Sequence, residues 1–491
     1  MKKYVLGIDQ STQGTKALLF NTKGEIVCRA DLPHRQMTDE KGWVEHDPEE
    51  IWQNTLNVTK LVVEKAGIDK NEIQTVGISN QRETALVWNK VTGEPVYNAV
   101  VWQCARGAKI CAGLEEKGYG EMVRSRTGLT LSPYFSAAKI AWVLQNVEGA
   151  EELGRKGELC CGTIDSWLVY KLTKGKEFRT DYSNASRTQL FNIRTLQWDG
   201  ELCGIFGIPE DSLAQVTDSD GLFGETDFDG FLDRPIPIRA VLGDSHGALF
   251  GQGCLEKGMM KATYGTGSSI MMNIGEKPVF SDRIVTSLAW SMGGKVNYVL
   301  EGNINYTGAV ITWMKDDIGL ISSPSETKEM AEQANPNDTT YLVPAFSGLG
   351  APYWNSEARA VFYGMSRTTK RNELVKAGLE SIAYQINDVI SAMKEESGIE
   401  IRELRVDGGP TRNTYLMQFQ SDITGIAVQV PSAEELSGIG AAYMAGLSEG
   451  IYQMEGLYDS MSRSRFSPAM PEEVRTEKCA GWKKAVSKVL E

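Results

Sequence analysis

The first thirty residues alternate between short apolar runs and polar turns, which is the pattern of adjacent β-strands. Apolar positions dominate 4–8, 15–20 and 25–30, and Gly14 and Gly24 fall in the turns between these runs. Glycine and small polar residues favour tight turns, whereas apolar and β-branched residues favour strands. We therefore predict three neighbouring strands joined by two turns.

The same strand–turn–strand pattern occurs again in the second half of the chain. Apolar residues dominate 260–264 and 270–274, and the turn 264–269 between them reads YGTGSS. A pattern repeated at a distance along a chain indicates a repeated structural unit. We therefore expect two similar lobes, each with one turn of small residues; a coincidence of two ordinary turns is the alternative.

Amphipathic helices and short strands alternate between these two units. Residues 374–393 carry apolar side chains at helical spacing, and a shorter helix of the same kind begins at Ser136. Short apolar runs predict buried strands at 75–79, 236–242 and 404–406. Alternation of helix and strand is typical of α/β domains.

The length of the chain also indicates more than one domain. At 491 residues it is too long for one ordinary core, and no proline- or serine-rich linker divides it. The break in the repeated pattern falls near 251–258. We predict an N-terminal domain over 1–251 and a C-terminal domain over 252–491, with a cleft between them.

Bulk composition excludes several classes of partner. Hydrophobic residues make up 41% of the chain and charged residues 23%, values that are typical of globular proteins. The 51 basic residues against 64 acidic residues give a net charge of −13, and such a surface repels nucleic acids and anionic lipids. We therefore expect no nucleic-acid partner and no membrane partner.

The sequence shows neither the pattern of a signal sequence nor the spacing of a zinc-binding motif. The apolar run after the N-terminal lysines ends at Asp9, which is too short for a signal sequence, so we predict a cytoplasmic protein. The eight cysteines form no CxxC pair, and the three histidines show no HExxH spacing. These absences argue against a zinc hydrolase.

The turn after the first predicted strand has the composition of a phosphate-binding loop. No GxxxxGK[ST] motif occurs and no GxGxxG follows a strand, which argues against a P-loop kinase and a dinucleotide-binding fold. Residues 9–16, DQSTQGTK, instead bring hydroxyls, backbone N–H groups and the charge of Lys16 into one tight loop. We predict that this loop holds phosphate; a hairpin turn without a ligand is the alternative.

Arg82 and Glu83 follow the strand predicted at 75–79 and provide a donor and an acceptor side by side. Each hydroxyl of a polyol both donates and accepts, so this pair can bind two neighbouring hydroxyls. Trp102 and Tyr134 could form a wall against a carbon skeleton. A surface ion pair and ordinary core aromatics are the alternatives.

Asp244 lies just beyond the strand predicted at 236–242, at the edge where α/β sheets bind ligands. A carboxylate there can accept the proton of a hydroxyl during phosphoryl transfer. We predict that Asp244 is the catalytic base and that Asp9 and Asp244 hold Mg²⁺, Asp9 through water. Aspartates that merely cap a helix or a turn are the alternative.

Eight segments together resemble the FGGY carbohydrate kinases. They are, in chain order, DQSTQGTKA, SNQRET, VWQCAR, SPYFS, GDSHGALFGQ, TYGTGS, FSGLGAPYW and VDGGPTRN. The resemblance runs from Tyr4 to the AGWKKAV segment near the C-terminus. It is strongest to the branch that phosphorylates glycerol, and NQRET and WQCAR favour that branch over kinases of ketopentoses such as xylulose.

The resemblance implies a fold, a reaction and partners. The fold is a pair of actin- and hexokinase-like (ribonuclease H-like) ATPase domains that close on ATP, Mg²⁺ and a small polyol. The expected reaction is the ATP-dependent phosphorylation of glycerol to glycerol 3-phosphate, by a homodimer or homotetramer. A non-enzymatic ATPase of the actin or Hsp70 type and a dehydrogenase are more distant alternatives.

The resemblance also assigns residues to the site. The expected phosphate contacts are Thr12, Gln13, Gly14 and Lys16 in the first turn and Thr266 in the second. The other nucleotide contacts are Gly308, Gly409 and Asn413, the last two on the adenosine side. The polyol contacts are Arg82, Glu83, Tyr134 and Asp244, with Trp102 packed on the carbon chain.

Two positions depart from the glycerol-phosphorylating branch. That branch usually has Gln where this chain has Ser245, and Phe where it has Ser269. Both changes remove bulk, so we expect Ser245 and Ser269 to line a larger and more polar pocket. A longer polyol such as erythritol, threitol, xylitol or ribitol is therefore an alternative substrate. The loop that binds an allosteric sugar bisphosphate in some relatives is poorly matched at 227–235, although Arg234 remains, which argues against that regulation.

Overall fold

The computed structural model describes residues 3–491; residues 1 and 2, which belong to the predicted N-terminal domain, lie outside the described residues. The predicted ladder at the start of the chain is confirmed as an antiparallel meander of the strands Tyr4–Gln10, Gly14–Phe20 and Ile26–Pro33. Its first strand also pairs in parallel with Ile73–Asn80, which in turn pairs in parallel with Ile236–Gly243. Glu225–Thr226 completes this six-stranded first sheet.

A second, seven-stranded sheet repeats this arrangement. Its meander consists of the strands Met259–Tyr264, Ser268–Gly275 and Lys295–Ile304. The first of these pairs in parallel with Glu403–Asp407, which pairs in parallel with Val428–Pro431. Val285–Met292 and Arg463–Phe466 lie at the two edges. The two sheets share one core strand order, which confirms the prediction of two similar α/β lobes of the actin and hexokinase type.

Smaller sheets and helices surround these two sheets. A five-stranded sheet consists of Gln36–Thr38, Val44–His46, Ala99–Val100, Ala85–Asn89 and Leu159–Thr163. Three two-stranded sheets pair Arg179–Asp181 with Gln215–Thr217, Phe191–Asn192 with Gln197–Trp198, and Tyr341–Val343 with Val361–Tyr363. The α-helices are Pro48–Ala66, Ala108–Glu116, Gly120–Thr127, Ser136–Asn146, Ala150–Arg155, Ile164–Leu172, Tyr182–Ala185, Gly200–Phe206, Asp244–Gly251, Gly308–Thr312, Glu326–Gln333, Arg371–Ser397, Thr414–Thr424, Leu436–Ser448 and Glu472–Leu490. Short 3₁₀ turns occur at Lys70–Glu72, Glu210–Ser212 and Gly409–Arg412, and a π-helical turn at Trp313–Asp317.

The longest helix confirms the helix that apolar spacing predicts at 374–393. Arg371–Ser397 contains the whole of the predicted segment 374–393, and its apolar stripe is buried in the core of the C-terminal half. It begins where Glu373 accepts a hydrogen bond from the Lys370 backbone N–H at 2.8 Å. It ends at Gly398, whose φ of 64° lies in the left-handed region.

Two helices meet against the first sheet and position the chemistry. Asp244–Gly251 packs on Leu436–Ser448, although the second helix comes from the far end of the chain. Glycines allow their backbones to touch, because a Cβ added at Gly440 would lie 1.9 Å from the Gly247 carbonyl oxygen. The first residue of one helix, Asp244, is thereby brought close to the start of the other. Within residues 3–491, no helix is long and apolar enough to cross a bilayer.

Candidate active site

Three adjoining cavities follow the cleft between the two sheets. The inner cavity, of about 500 Å³, is lined by residues that include Arg82, Asp244 and Ser269. The central cavity, of about 590 Å³, is lined by residues that include Asp9, Lys16 and Lys261. The outer cavity, of about 580 Å³, is lined by residues that include Gly308 and Asn413. The inner and central cavities share Asp244, Ser245, Thr263 and Gly265, and the central and outer cavities share Gly409.

The inner cavity collects every residue that the sequence assigns to the polyol. Its lining includes Arg82, Glu83, Trp102, Tyr134, Asp244, Ser245 and Ser269, together with Thr12 and Thr266 from the two predicted phosphate turns. These residues come from separate segments in both halves of the chain, and folding brings them onto one surface.

Arg82 is buried, and its two terminal nitrogens are already bound. Nη1 and Nη2 each donate to a carboxylate oxygen of Glu301 at 2.8 Å. Burial disfavours the charge, but Glu301 and Glu83 outweigh that effect and hold the pKa of Arg82 well above its usual value. Its Nε lies 3.4 Å from Asp244 Oδ1 and has no hydrogen-bond partner in the described part of the chain. The Nε–H group therefore lies near the carboxylates of Glu83 and Asp244 without a hydrogen bond to either.

Glu83 is held from behind by a second arginine. Its φ of 59° lies in the left-handed region, which costs energy for a residue with a side chain. Its Oε1 accepts a hydrogen bond from Arg187 Nε at 2.5 Å, and Arg187 Nη1 lies 3.0 Å from Glu301 Oε2. We call the four residues Arg82, Glu83, Arg187 and Glu301 the buried charge network. Its two positive and two negative groups compensate one another.

Sequence reasoning missed Arg187 and Glu301. Glu301 carries a signal that could have been used, since it is a single carboxylate directly after the buried apolar run 298–300 of the strand Lys295–Ile304. Arg187 follows the short helix Tyr182–Ala185 in a stretch of small polar residues. Nothing in that stretch distinguishes it from a surface arginine.

Trp102 and Tyr134 form one wall of the inner cavity, as predicted from their aromatic character. Their ring centroids lie 5.5 Å apart in an edge-on arrangement. Trp102 Nε1 also donates a hydrogen bond to Thr12 Oγ1 at 3.0 Å. This bond joins the wall of the inner cavity directly to the first phosphate turn.

Asp9 lies on the central cavity and is 5% exposed. Burial raises its pKa to about 7, the nearby carboxylates Asp244 and Glu435 add to the rise, and Lys16 opposes it. Its Oδ1 has no hydrogen-bond partner among the described residues. Within residues 3–491, no group of three or more acidic, histidine or cysteine side chains could hold a metal ion unaided. Mg²⁺ commonly binds through one or two carboxylates, water and substrate phosphate, so Asp9 and Asp244 fit a magnesium ion that arrives with a nucleotide.

Of the other residues in the first phosphate turn, two line the central cavity and one lies at the base of the turn. Gln13 lines the central cavity, and so does Lys16, whose ammonium forms an ion pair with Glu435 at 2.7 Å. Gly14 lies at the base of the turn, where its carbonyl oxygen accepts hydrogen bonds from the Ser11 N–H and hydroxyl groups. A contact between phosphate and Gly14 stays a prediction.

The residues assigned to the nucleoside come together around the outer cavity. Gly308, Gly409 and Asn413 all line it. The Gly308 N–H donates to the Gly265 carbonyl at 2.9 Å, which ties the outer cavity to the second phosphate turn. Asn413 donates to Thr327 Oγ1 at 3.0 Å and accepts from the Leu416 N–H at 3.1 Å. Asn413 therefore also caps the helix Thr414–Thr424.

Comparison with known proteins identifies the family. The model of the FGGY family of carbohydrate kinases, N-terminal domain, matches residues 4–251, and the model of its C-terminal domain matches residues 260–449. This chain belongs to the FGGY family of carbohydrate kinases. The resemblance expected from the eight motifs is confirmed, and the chain is a kinase with the two-domain fold of that family.

Among the relatives of this FGGY kinase are glycerol kinases that match it over nearly its whole length. It is 50% identical over 490 residues to glycerol kinase 1 of Thermotoga maritima, which covers 99% of each chain. It is 48% identical over 489 residues to a glycerol kinase of Bacillus thuringiensis, again over 99% of each chain. Neither the dehydrogenase nor the actin-like interpretation gains support from these matches.

Solved structures agree with this FGGY fold. A crystal structure of Plasmodium falciparum glycerol kinase with ADP matches with a TM-score of 0.94 and 36% identity, and the match covers 100% of this chain and 99% of that one. A ligand-bound xylulose kinase from Lactobacillus acidophilus matches with a TM-score of 0.87 and 20% identity, over 98% of this chain and 96% of that one. At that identity the second match concerns the fold alone.

Proposed function

We propose that this FGGY kinase transfers the terminal phosphoryl group of ATP to a hydroxyl of glycerol, giving glycerol 3-phosphate. One observation supports this most directly: Asp244 lies on the wall that the inner and central cavities share. A base at that wall can touch an acceptor on one side and a phosphate on the other. The similarity to glycerol kinases over the whole chain favours glycerol as the acceptor.

The inner cavity supplies the groups that would orient the acceptor. The free Nε–H of Arg82 can donate to one hydroxyl oxygen, and Glu83 can accept from a neighbouring hydroxyl. The edge-on pair of Trp102 and Tyr134 provides an apolar surface for the carbon chain. Such positioning supplies much of the acceleration in phosphoryl transfer, because its transition state is loose.

Asp244 would hold the reactive proton. The acceptor hydroxyl loses its proton to the Asp244 carboxylate as its oxygen attacks phosphorus, and the bond from phosphorus to ADP breaks. The Arg82 guanidinium lies 3.4 Å from Asp244 Oδ1, so its positive charge attracts this carboxylate towards the inner cavity. Asp244 Oδ1 also accepts a hydrogen bond from the Ser245 N–H at 2.6 Å, which fixes its orientation.

The central and outer cavities would hold Mg²⁺ and ATP. Mg²⁺, when bound, neutralises charge on the phosphate oxygens. Asp9 and Asp244 are the carboxylates placed to hold it. Gln13 lines the central cavity and Thr266 the inner one, so each phosphate turn offers a residue to the triphosphate, and Gly409 lies where the central cavity opens into the outer one.

A coupled assay of ADP release tests this function. We expect release from ATP to require glycerol, and Asp244→Asn to lower kcat by about 100- to 10,000-fold, the usual contribution of a general base. Asp233→Asn serves as the matched control, because Asp233 is exposed, pairs with Lys70 and lines none of the three cavities. Release that proceeds equally without glycerol would refute an acceptor-dependent kinase. Near-normal turnover by the Asp244→Asn variant would refute the role of the base.

A longer polyol is the second candidate, and one observation favours it. Ser269 Oγ lies at the inner cavity and is buried without a hydrogen-bond partner in residues 3–491. A hydroxyl on a fourth carbon could satisfy it. Erythritol and threitol, followed by xylitol and ribitol, belong in the same assay beside glycerol.

A further inference from the structure

Lys261 is a buried lysine to which neither the motifs nor the family resemblance assigns a role. It lies in the strand Met259–Tyr264, is fully buried, and lines the central cavity. Its ammonium donates one hydrogen bond, to Thr263 Oγ1 at 3.0 Å. No carboxylate oxygen in residues 3–491 lies within the 4.0 Å ion-pair distance of it. An ammonium has three N–H groups, so two of them remain available.

A second buried lysine shows how such a charge is normally satisfied. Lys139 is also fully buried, but its ammonium donates to the carbonyl oxygens of Pro133, Tyr134 and Phe135 at 2.7, 2.5 and 3.0 Å. Lysine is rarely buried unless its donors are matched, because a desolvated and unmatched ammonium is costly. Lys139 fulfils this condition within the protein and Lys261 does not.

Lys16, the other lysine that lines the central cavity, already has an ion-pair partner. Lys16 forms its ion pair with Glu435 at 2.7 Å, and Glu435 is also paired with Arg29 at 2.5 Å. Burial lowers the pKa of Lys261, and the largest opposing influence on that pKa is the carboxylate of Asp407. An anionic ligand would therefore find its least compensated positive charge at Lys261.

The position of Lys261 indicates which part of a bound ATP its ammonium would contact. Its hydrogen-bond partner Thr263 lines both the inner and the central cavity, as does Asp244. We propose that Lys261 donates its free N–H groups to the oxygens of the terminal phosphate as that group moves from ATP to the acceptor. This inference rests on the proposed kinase function. In this step Lys261 keeps its protons, while the acceptor proton goes to Asp244.

Lys261→Met tests the proposal, since methionine keeps a long unbranched side chain without the charge. Loss of one preorganised donor predicts a fall in kcat of about 100-fold with little change in the KM for glycerol. Calorimetry should show weaker binding of a non-hydrolysable ATP analogue and unchanged binding of ADP. Without nucleotide, the variant should unfold at the same or a higher temperature, because an unmatched buried charge has been removed. Lys257→Met, at an exposed lysine before the same strand, is the matched control.

A purely structural lysine gives different results. A lower unfolding temperature without nucleotide, equal weakening of ADP and the triphosphate analogue, or a kcat within about threefold of the wild type would each overturn the proposal. Lys261→Arg retains a cation, and we expect it to recover part of the preference for the triphosphate. The two binding measurements need no turnover, so they test Lys261 even if glycerol proves to be the wrong acceptor.

Discussion

The inner and central cavities adjoin, yet they treat charge differently. At the inner cavity, Arg82 and Glu83 lie on the lining and are compensated from behind by Glu301 and Arg187, the other members of the buried charge network. In the central cavity, Asp9 Oδ1 lacks a hydrogen-bond partner and Lys261 lacks an ion pair, as far as residues 3–491 are concerned. Apart from Asp244, which both cavities share, the charges at the inner cavity are matched within the protein and those of the central cavity are not all matched.

The difference corresponds to the ligands that we propose. A polyol is neutral and cannot compensate a buried charge, so its cavity must be balanced before it binds. Mg²⁺ and ATP bring charges of both signs, so their cavity can leave a carboxylate and an ammonium unmatched until they arrive. The acceptor cavity is preorganised by the protein, whereas the donor cavity is completed by its ligand.

The largest effect should follow from breaking the balance of the inner cavity. Glu301→Gln leaves Arg82 and Arg187 buried with one carboxylate fewer. Removing one partner of a buried ion pair typically costs about 3–5 kcal/mol of unfolding free energy. We expect a loss of that size in chemical denaturation. We also expect kcat/KM for glycerol to fall, because the Arg82 guanidinium loses one of the two carboxylate oxygens that fix its terminal nitrogens.

The matched control is Glu449→Gln, which removes an ion pair of 2.9 Å with Arg239 that is partly exposed. Surface pairs contribute about 0–1 kcal/mol, so its stability should stay close to that of the wild type. Equal losses in the two variants would contradict the balance that we assign to the inner cavity.

The next effect concerns the unmatched carboxylate of the central cavity. Asp9→Asn should lower kcat by about 10- to 100-fold, the usual cost of disturbing a metal site. Without nucleotide, however, it should stabilise the protein. Because the pKa of Asp9 is raised from 3.8 to about 7 on folding, the folded protein binds the extra proton and its stability falls as pH rises between those values. The gain in unfolding temperature should therefore be absent near pH 4 and largest near pH 8.

Proton release gives an independent measurement of the same carboxylate. Binding of Mg²⁺ and nucleotide at a pH below 7 should expel the Asp9 proton, and calorimetry in buffers of different ionisation enthalpy detects it. Asp9→Asn should abolish this release. A stability difference that does not depend on pH would show that Asp9 is ionised in the free protein.

The sequence predicted the framework and most of one cavity. Local patterns sufficed for the first meander, for the helix at 371–397, and for the turns that carry Thr12 and Thr266. Each depends on neighbours along the chain, so periodicity and turn composition record it. Family motifs then assigned the polyol residues, and the structure brings all of them to the inner cavity.

The residues that sequence reasoning missed depend on contacts and burial that involve distant parts of the chain. Glu301 matters because Arg82 and Arg187, both from the N-terminal half, reach its carboxylate. Lys261 is conspicuous only once its burial and its single hydrogen bond are known. Neither property is encoded in local spacing. Burial and long-range pairing were the information that sequence reasoning lacked.

A smaller effect should come from uncoupling the wall of the inner cavity from the first phosphate turn. Trp102→Phe removes the hydrogen bond from Nε1 to Thr12 Oγ1 and retains an aromatic wall. One neutral hydrogen bond contributes about 1 kcal/mol, which corresponds to roughly fivefold in KM. We expect the KM values for glycerol and ATP to rise together, because the bond joins the acceptor wall to the phosphate turn. A rise for glycerol alone would show that the two cavities are independent there.

The smallest effect on glycerol should come from Ser269, the exception within the balanced cavity. Its Oγ is buried and, within residues 3–491, unmatched, which a three-carbon acceptor need not change. Ser269→Ala removes this hydroxyl, and Ser269→Phe also fills the space. If a fourth-carbon hydroxyl pairs with Oγ, the Ala variant should lose about fivefold in kcat/KM for erythritol, with a smaller change for glycerol. Loss of erythritol turnover only in the Phe variant would mean that space, and not hydrogen bonding, admits the longer chain. Equal responses of both substrates in both variants would show that Ser269 has no influence on the choice of chain length.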